Sequence, residues 1–298
     1  MIPNSGGLRS ELLAPAIFKS PGTAQKRVAL LAGCAQQALD GAINAATIRL
    51  LTRHRCDVVL AEGAGCCGSL TLHMGREVEA TAAARANIRA WQRELDGEGL
   101  DAIIVNASGC GTTVKDYGHL LARDSAWAMP ARRIGEMTCD VTEFLDDIGL
   151  QAAMGSSPAL RVAYLDPCSM QHGQRVTHQP RELLRAAGFQ VVDVPEKHFC
   201  CGSAGTYNLL QPEMAAALGQ RRANHVLNTS PDVIATGNIG CMMQLRRYLD
   251  VPVVHTVELL DWATGGPQPP ALANLDLRAA QEGGTPAQDR PGNEVGIW

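Results

Sequence analysis

The 298-residue sequence predicts an α/β fold built from two pseudo-repeated β-α-β-α-β halves, with parallel sheets and cysteines at the C-terminal ends of strands. Three observations predict it. A shift of 134 residues carries Cys34, Cys66 and Cys67 onto Cys168, Cys200 and Cys201, and also Gln37 onto Gln171, Glu62 onto Glu196, Gly68 onto Gly202 and Ser69 onto Ser203. Further along the shift falls to 131, matching "DAIIVNASGC", which ends at Cys110, with "DVIATGNIGC", which ends at Cys241. In each half, short apolar runs alternate with segments of helical periodicity, the pattern of crossover units feeding a parallel sheet.

The elements follow in order. "RVALLAGC" and "RVAYLDPC" are apolar runs ending at Cys34 and Cys168, as buried parallel strands do. "GAINAATIRLLTRH" places Ile43, Thr47, Leu50 and Leu51 near one helical face. "CDVVLAEG" and "FQVVDVPE" return as second strands and lead to the vicinal pairs Cys66–Cys67 and Cys200–Cys201. "REVEATAAARANIRAWQREL" has Val78, Ala82, Ile88, Trp91 and Leu95 at helical spacing, and its equivalent "PEMAAALGQRRANHVLNT" opens with Pro212 in a first turn. "DAIIVN" and "DVIATG" are third strands ending just before Cys110 and Cys241. "TCDVTEFLDDIG" reads as a helix closing the first half, whereas "VPVVHTVELLDWATG" adds a strand and a short helix to the second, with little similarity between the two.

The expected organisation is an N-terminal tail over 1–25, a first cysteine-rich domain over 26–150, a linker over 151–160, a second cysteine-rich domain over 161–265 and a Pro/Gly-rich tail over 266–298. Strand ends of an open parallel sheet gather on one edge, so cysteines distant in sequence converge there.

Composition narrows the function. With 46% apolar residues the chain can bury a substantial core. A net charge of −4 and no Lys/Arg run leave nucleic acid without an electrostatic footprint. The start "MIPNSGGLRSELLAPAIFKSPG" lacks the apolar core of a secretory signal, and no apolar run reaches membrane-spanning length. The expected location is cytoplasmic, with any contact to the inner membrane made through partners. Ten cysteines in that compartment point to metal or redox chemistry rather than disulfides.

Each half contributes four cysteines in the order C…CC…C: Cys34, Cys66, Cys67 and Cys110, then Cys168, Cys200, Cys201 and Cys241. Cys56 and Cys139 have no counterparts and read as core residues. A thiolate tetrad suits an iron–sulfur cluster or a tetrahedral zinc ion. Structural zinc usually sits between short C-x2-4-C knuckles, and no C-x-x-C exists here, which favours the cluster and keeps zinc as the alternative. A metal-free or zinc-stabilised scaffold and a thiol–disulfide enzyme remain as further readings. His172 and His198 map onto Ala38 and Ala64 and so fall outside the repeated set. Glu62 and Glu196 recur, and a loop hydrogen bond suits them better than acid–base work. The glycine-rich stretches match neither nucleotide-binding pattern.

These phrases resemble a known family. The C…CC…C pattern followed by Gly is similar to the cysteine-rich CCG domain, which occurs twice in the iron–sulfur subunit of bacterial glycolate oxidase and in heterodisulfide reductase-type proteins. The finer resemblance, over about residues 26 to 266, is to the glycolate oxidase subunit: "RVALLAGCAQQ", "EGAGCCGSL", "NASGCGTTVKDYG", "CCGSAGTYNLLQPE", "GNIGCMMQL" and "PVVHTVELLDWATGG" stand in its order. The resemblance implies an electron-transfer subunit carrying an iron–sulfur cluster, of the 4Fe-4S type with up to one per half, on the eight repeated cysteines. It implies partner subunits whose flavin oxidises a 2-hydroxy acid and electrons that pass toward a quinone. Two features depart from the family. The C-x-x-C-x-x-C-x-x-x-C-P runs of its ferredoxin-like region are absent, which makes a separate ferredoxin-like protein an expected partner. Ala107 and Asn238 stand where heterodisulfide reductase-type domains place a fifth cysteine, which favours simple relay over disulfide chemistry.

Overall fold

The computed structural model describes residues 14–151 and 160–275. The first half runs β1 (Ala16–Phe18), β2 (Lys26–Leu30), α1 (Ala35–Leu39), α2 (Ala42–Arg53), β3 (Cys56–Leu60), α3 (Ser69–His73), α4 (Glu77–Asp96), β4 (Ala102–Val105), α5 (Ser108–Lys115), α6 (Tyr117–Leu120), α7 (Ala128–Met137), β5 (Thr138–Asp140) and α8 (Val141–Ile148). The second runs β6 (Arg161–Tyr164), a π-helical turn (Ser169–Gln174), α9 (Gln179–Ala186), β7 (Gln190–Asp193), α10 (Tyr207–Leu210), α11 (Pro212–Leu227), β8 (Val233–Thr236), α12 (Ile239–Leu245), β9 (Val253–His255) and α13 (Thr256–Ala263).

The sheets have the orders β1-β3-β2-β4-β5 and β7-β6-β8-β9. All pairings are parallel except that of β1, which lies antiparallel on β3. Without β1 the two orders coincide strand for strand, so the repeat governs topology as well as sequence. The chain crosses from one side of the first strand to the other between its second and third strands, and a ligand site belongs at the carboxyl ends there.

Successive strand residues serve opposite faces. Val28, Leu30, Val58, Leu60 and Ile104 belong to a core that includes α2, α8 and the second half, whereas Ala29, Leu31, Val59, Ile103 and Val105 pack with α4 and α7 on the outer face. The halves join through helix pairs: α13 packs on α2, and α8 on α9. These contacts are equivalent when the halves are exchanged, a pseudo-twofold arrangement. Asp261 of α13 reinforces one of them, accepting from Arg49 at 2.6 and 2.9 Å and from Arg53 at 3.0 Å.

The structure differs from the sequence reading in four places. Each half carries a fourth strand and closing helix, so the repeat extends through "TCDVTEF" and "VVHTVEL". Asp140 with Glu143 and His255 with Glu258 form matching capping boxes there, which satisfy the first free N–H groups of α8 and α13. The segment expected as an N-terminal tail supplies strand β1. The buried stripe of α4 is Ala80, Ala84, Asn87, Ile88 and Trp91, whereas Val78 is 80% exposed and Ala82 faces out. At the C-terminal end of the described residues, Pro270–Leu272 makes a short helical turn that buries Leu272. Most of the expected linker and C-terminal tail lies outside the described residues.

Candidate thiol centres

Each repeated cysteine follows a strand. Cys34 caps α1 after β2, Cys66 and Cys67 lie in the loop after β3, and Cys110 sits in the first turns of α5 after β4. Cys168, the pair Cys200–Cys201 and Cys241 occupy the matching places after β6, β7 and β8. The fold therefore brings four sulfurs together twice. The Cys34 thiol donates to Cys66 at 3.4 Å, and the Cys67 sulfur lies beside those of both Cys66 and Cys110. In the second half Cys201 donates to Cys241 at 3.2 Å, and Cys168 and Cys201 both lie beside the Cys200 sulfur. Cys56 is buried in β3 and Cys139 lies in β5, outside both chains of sulfurs.

The electrostatics repeat as well. Hydrogen bonds from Cys34 and Cys67, with the Gly68 N–H at 3.4 Å, hold the Cys66 thiol far below the ordinary thiol range. Cys200 is held low by Cys168, Cys201 and the Gly202 N–H at 3.3 Å. Their donors Cys34, Cys67, Cys168 and Cys201 are pushed up, because each shares its proton with a neighbouring sulfur and is partly or wholly buried. Each half thus has one sulfur, Cys66 or Cys200, toward which neighbouring thiol and N–H donors point, which favours its thiolate form.

The doubled CCG carries its glycine for a structural reason. Gly68 and Gly202 have φ of +86° and +88°, and each lies against the backbone of the following helix, at Ala80 and Ala215. A side chain would strain the turn and collide with that helix, so only glycine lets the thiol loop lie against it.

Further residues tie the loops down: Tyr117 is buried, as its reading as a packing residue expects, whereas Asn87 and Ser108 carry no signal in the sequence alone. Asn87 accepts from the Gly65 N–H and donates to the Cys66 carbonyl and the Tyr117 hydroxyl, which itself donates to the Cys67 carbonyl. The two centres meet across a polar bridge between the halves. Ser108 lies 2.8 Å from Ser169, oxygen to oxygen, and accepts from Asn238 at 2.7 Å, while its N–H donates to the Gly237 carbonyl. Cys110, Cys168 and Cys241 are all within three residues of that bridge. His172 and His198 touch each other, with a ring nitrogen 3.3 Å from the His198 carbonyl, and join neither sulfur chain. The Glu196 carboxylate is held by Arg221 and His225 and secures its loop, whereas at Glu62 it is the backbone carbonyl that accepts from Arg93.

The donor set suits a soft metal group. Four thiols per half, loops free of bulk, and N–H donors aimed at sulfur are what an iron–sulfur cluster requires. Sulfurs approach to 3.4 Å between Cys34 and Cys66 and to 3.2 Å between Cys201 and Cys241, and among the described residues no three His, Cys, Asp or Glu side chains are grouped as ligands of one ion. Among the described residues no helix is long and apolar enough to cross a membrane.

Comparison with known proteins agrees with this reading of the repeat. The family model of the CCG cysteine-rich domain matches residues 28–115 and 162–246, more than half of the chain. The glycolate oxidase iron–sulfur subunit of Escherichia coli (strain K12) is 38% identical over 241 residues, 80% of this chain; the chain spans 58% of that relative's length. Lactate utilization protein A of Oceanobacillus iheyensis is 27% identical over 79% of this chain and 96% of its own. A crystal structure of a hypothetical protein from Helicobacter pylori shares the fold, with a TM-score of 0.57 at 11% identity over 87% of this chain and 52% of its own. The chain belongs to the CCG cysteine-rich domain family and carries that domain twice.

Proposed function

We propose that the protein is an iron–sulfur electron-transfer subunit of a glycolate or lactate oxidase-type complex. In this reading Cys34, Cys66, Cys67 and Cys110 hold one cluster, and Cys168, Cys200, Cys201 and Cys241 hold a second. The observation that carries it is the duplicated set of four cysteines gathered at matching strand ends in each half. The names of the two relatives, glycolate oxidase and lactate utilization, supply the substrate class, a 2-hydroxy acid.

An iron–sulfur cluster, when bound, stores and releases single electrons. The chain's own residues do the rest. Gly68 and Gly202 bring backbone N–H groups to the sulfurs of Cys66 and Cys200, where they disperse negative charge. Cys67, Cys201 and Cys241 are buried, so water is excluded from one side of each set. Burial also denies a substrate disulfide access to those thiols, which favours relay over thiol exchange. Ser108, Ser169 and Asn238 keep the two sets against each other across the interface. The 4Fe-4S type, flavin-bearing partner subunits and a quinone-directed acceptor complete the proposal.

The test is the visible spectrum of anaerobically purified protein before and after a flavin-containing 2-hydroxy acid dehydrogenase and its substrate are added. A brown chromophore that bleaches only when enzyme and substrate are both present is expected. Colourless, zinc-containing protein would contradict the proposal and support a scaffold.

A further inference from the structure

The two thiol centres share a topology but not an electrostatic environment. Helices α4 and α11 align with a shift of 135 residues, which matches the buried stripe Ala80, Ala84, Asn87, Ile88 and Trp91 with Ala215, Gly219, Arg222, Ala223 and Val226. The close approaches of Gly68 to Ala80 and Gly202 to Ala215 give the same register. At the position where the first half has the neutral amide of Asn87, the second has the guanidinium of Arg222, 1% exposed.

Arg222 does part of Asn87's work. Its Nη1 donates to the carbonyls of Pro195 and Glu196 at 3.0 and 2.8 Å and so ties down the loop leading to Cys200. Unlike Asn87 it brings a full charge. Its Nε and Nη2 have no hydrogen-bond partner among the described residues. The crevice it shares with Cys200, Phe199, Leu218 and Glu196 has no space for a water molecule, and the Glu196 carboxylate is already held by Arg221 and His225. Burial pulls the Arg222 guanidinium below its ordinary range, and Asp166 and the neighbouring cysteine sulfurs act against that pull. Arg181 bonds Asp166 at 2.8 and 2.6 Å and also the largely exposed Asp193. Among the described residues Arg222 is thus a buried cation with no ion-pair partner, in a crevice shared with Cys200.

The first half has no buried equivalent: the arginine that bonds the matching Glu62 carbonyl, Arg93, is exposed. Under the shift of 134, Ala32 and Thr47 stand in place of Asp166 and Arg181. Its surroundings are neutral amides and a hydroxyl: Gln36 and Asn106 bond to Asn44, and Asn106 also donates to Thr47.

We propose that Arg222 is a positioning residue that makes the centre on Cys168, Cys200, Cys201 and Cys241 easier to reduce than the centre on Cys34, Cys66, Cys67 and Cys110. The inference rests on the cluster reading above. A buried positive charge favours whichever state of its neighbour is more negative, and in a poorly screened interior that preference is strong. An electron delivered to the first half therefore settles in the second: one centre is oxidised by one electron, the other is reduced by one, and no further reactant is needed. The chain is a one-way relay whose direction comes from a single helix position.

The experiment is a potentiometric titration of the anaerobically purified full chain, followed by electron paramagnetic resonance. Variants lacking one set of cysteines, C34S/C66S or C168S/C200S, assign each signal to its half. The second-half centre should titrate at the higher potential in the unaltered chain. Arg222→Gln should shift that centre to a more negative potential and leave the first unmoved, whereas Arg222→Lys, which keeps the charge, should remain close to the unaltered value. Equal potentials in the unaltered chain overturn the proposal even if Arg222→Gln fails to fold. An unshifted Arg222→Gln with its iron retained overturns it as well. Absence of iron and sulfide from the unaltered chain overturns the cluster reading instead, so the two failures are distinguishable.

Discussion

Replacing Gly68 by alanine should destabilise the chain although it removes no hydrogen bond. At φ of +86° an alanine sits in the left-handed region, at a cost of about 1–2 kcal/mol. Its Cβ would lie 2.8 Å from the Ala80 carbonyl oxygen, which is backbone in the first turn of α4 and can yield only if that helix moves. Overpacking of this kind costs about 1–3 kcal/mol. Together these give about 2–5 kcal/mol, and in a chain of this size each kcal/mol lowers Tm by about 2 °C, so the expected drop is roughly 4–10 °C. Differential scanning calorimetry on Gly68→Ala, beside Gly65→Ala, measures it. Gly65 is the internal control, because its φ is not left-handed and a Cβ there meets nothing within 4 Å. Gly202→Ala should behave as Gly68→Ala does, since the same contact recurs at Ala215. A Gly68→Ala protein that melts with Gly65→Ala would show that the close approach to α4 is not what requires glycine in the doubled motif.

Three further outcomes are expected. Tyr117→Phe leaves the Cys67 carbonyl without its donor and Asn87 without one acceptor, costing about 1–3 kcal/mol by urea denaturation, and should loosen the first thiol centre while sparing the second. Asp261→Ala strands Arg49 and Arg53 at the α2–α13 contact. The loss should be about 1–3 kcal/mol, below that of a fully buried pair, because both arginines reach solvent while only the aspartate is enclosed. Glu258 is pushed up to about 7 by burial, from an ordinary 4.5. The folded state therefore holds a proton that the unfolded chain has lost, and the stability this group contributes is full below pH 4.5, falls as pH rises, and is gone above about 7. The neighbouring His255, pushed down to about 4 by burial, slopes the opposite way, so the informative quantity is the difference between Glu258→Gln and the unaltered chain. That difference should move in favour of the glutamine by on the order of 3 kcal/mol from pH 4.5 to 7, and a pH-independent difference refutes the assignment.

The fold was legible where the repeat was. Cysteines at a constant shift mark strand ends, and the runs before Cys34, Cys110, Cys168 and Cys241 are apolar enough to read as buried strands. The fourth strand of the first half escaped because "TCD" is three residues long and carries no periodicity, and because its shift to "VVH" is 115 rather than 134 or 131. The buried face of α4 was misread because small alanines do the packing, while Val78, the apolar residue in the first turn, faces out. At the centres the sulfurs could be found from spacing alone. Asn87, Tyr117, Ser108 and Arg222 could not, since each is an ordinary residue type whose role comes from the loop it meets. The available signal was the 135-residue shift between α4 and α11, which becomes visible only when the helices are aligned separately from the cysteines.

The central claim, two four-thiolate centres in one chain, is tested most directly by iron and acid-labile sulfide content. The comparison is between anaerobically purified unaltered protein and two variants, one with Cys34, Cys66, Cys67 and Cys110 changed to serine and one with Cys168, Cys200, Cys201 and Cys241 changed. The account predicts iron and sulfide in matching amounts in the unaltered chain, with about half lost in each variant, as expected for independent sites. Iron that is absent throughout, or unchanged when either set is removed, would contradict it.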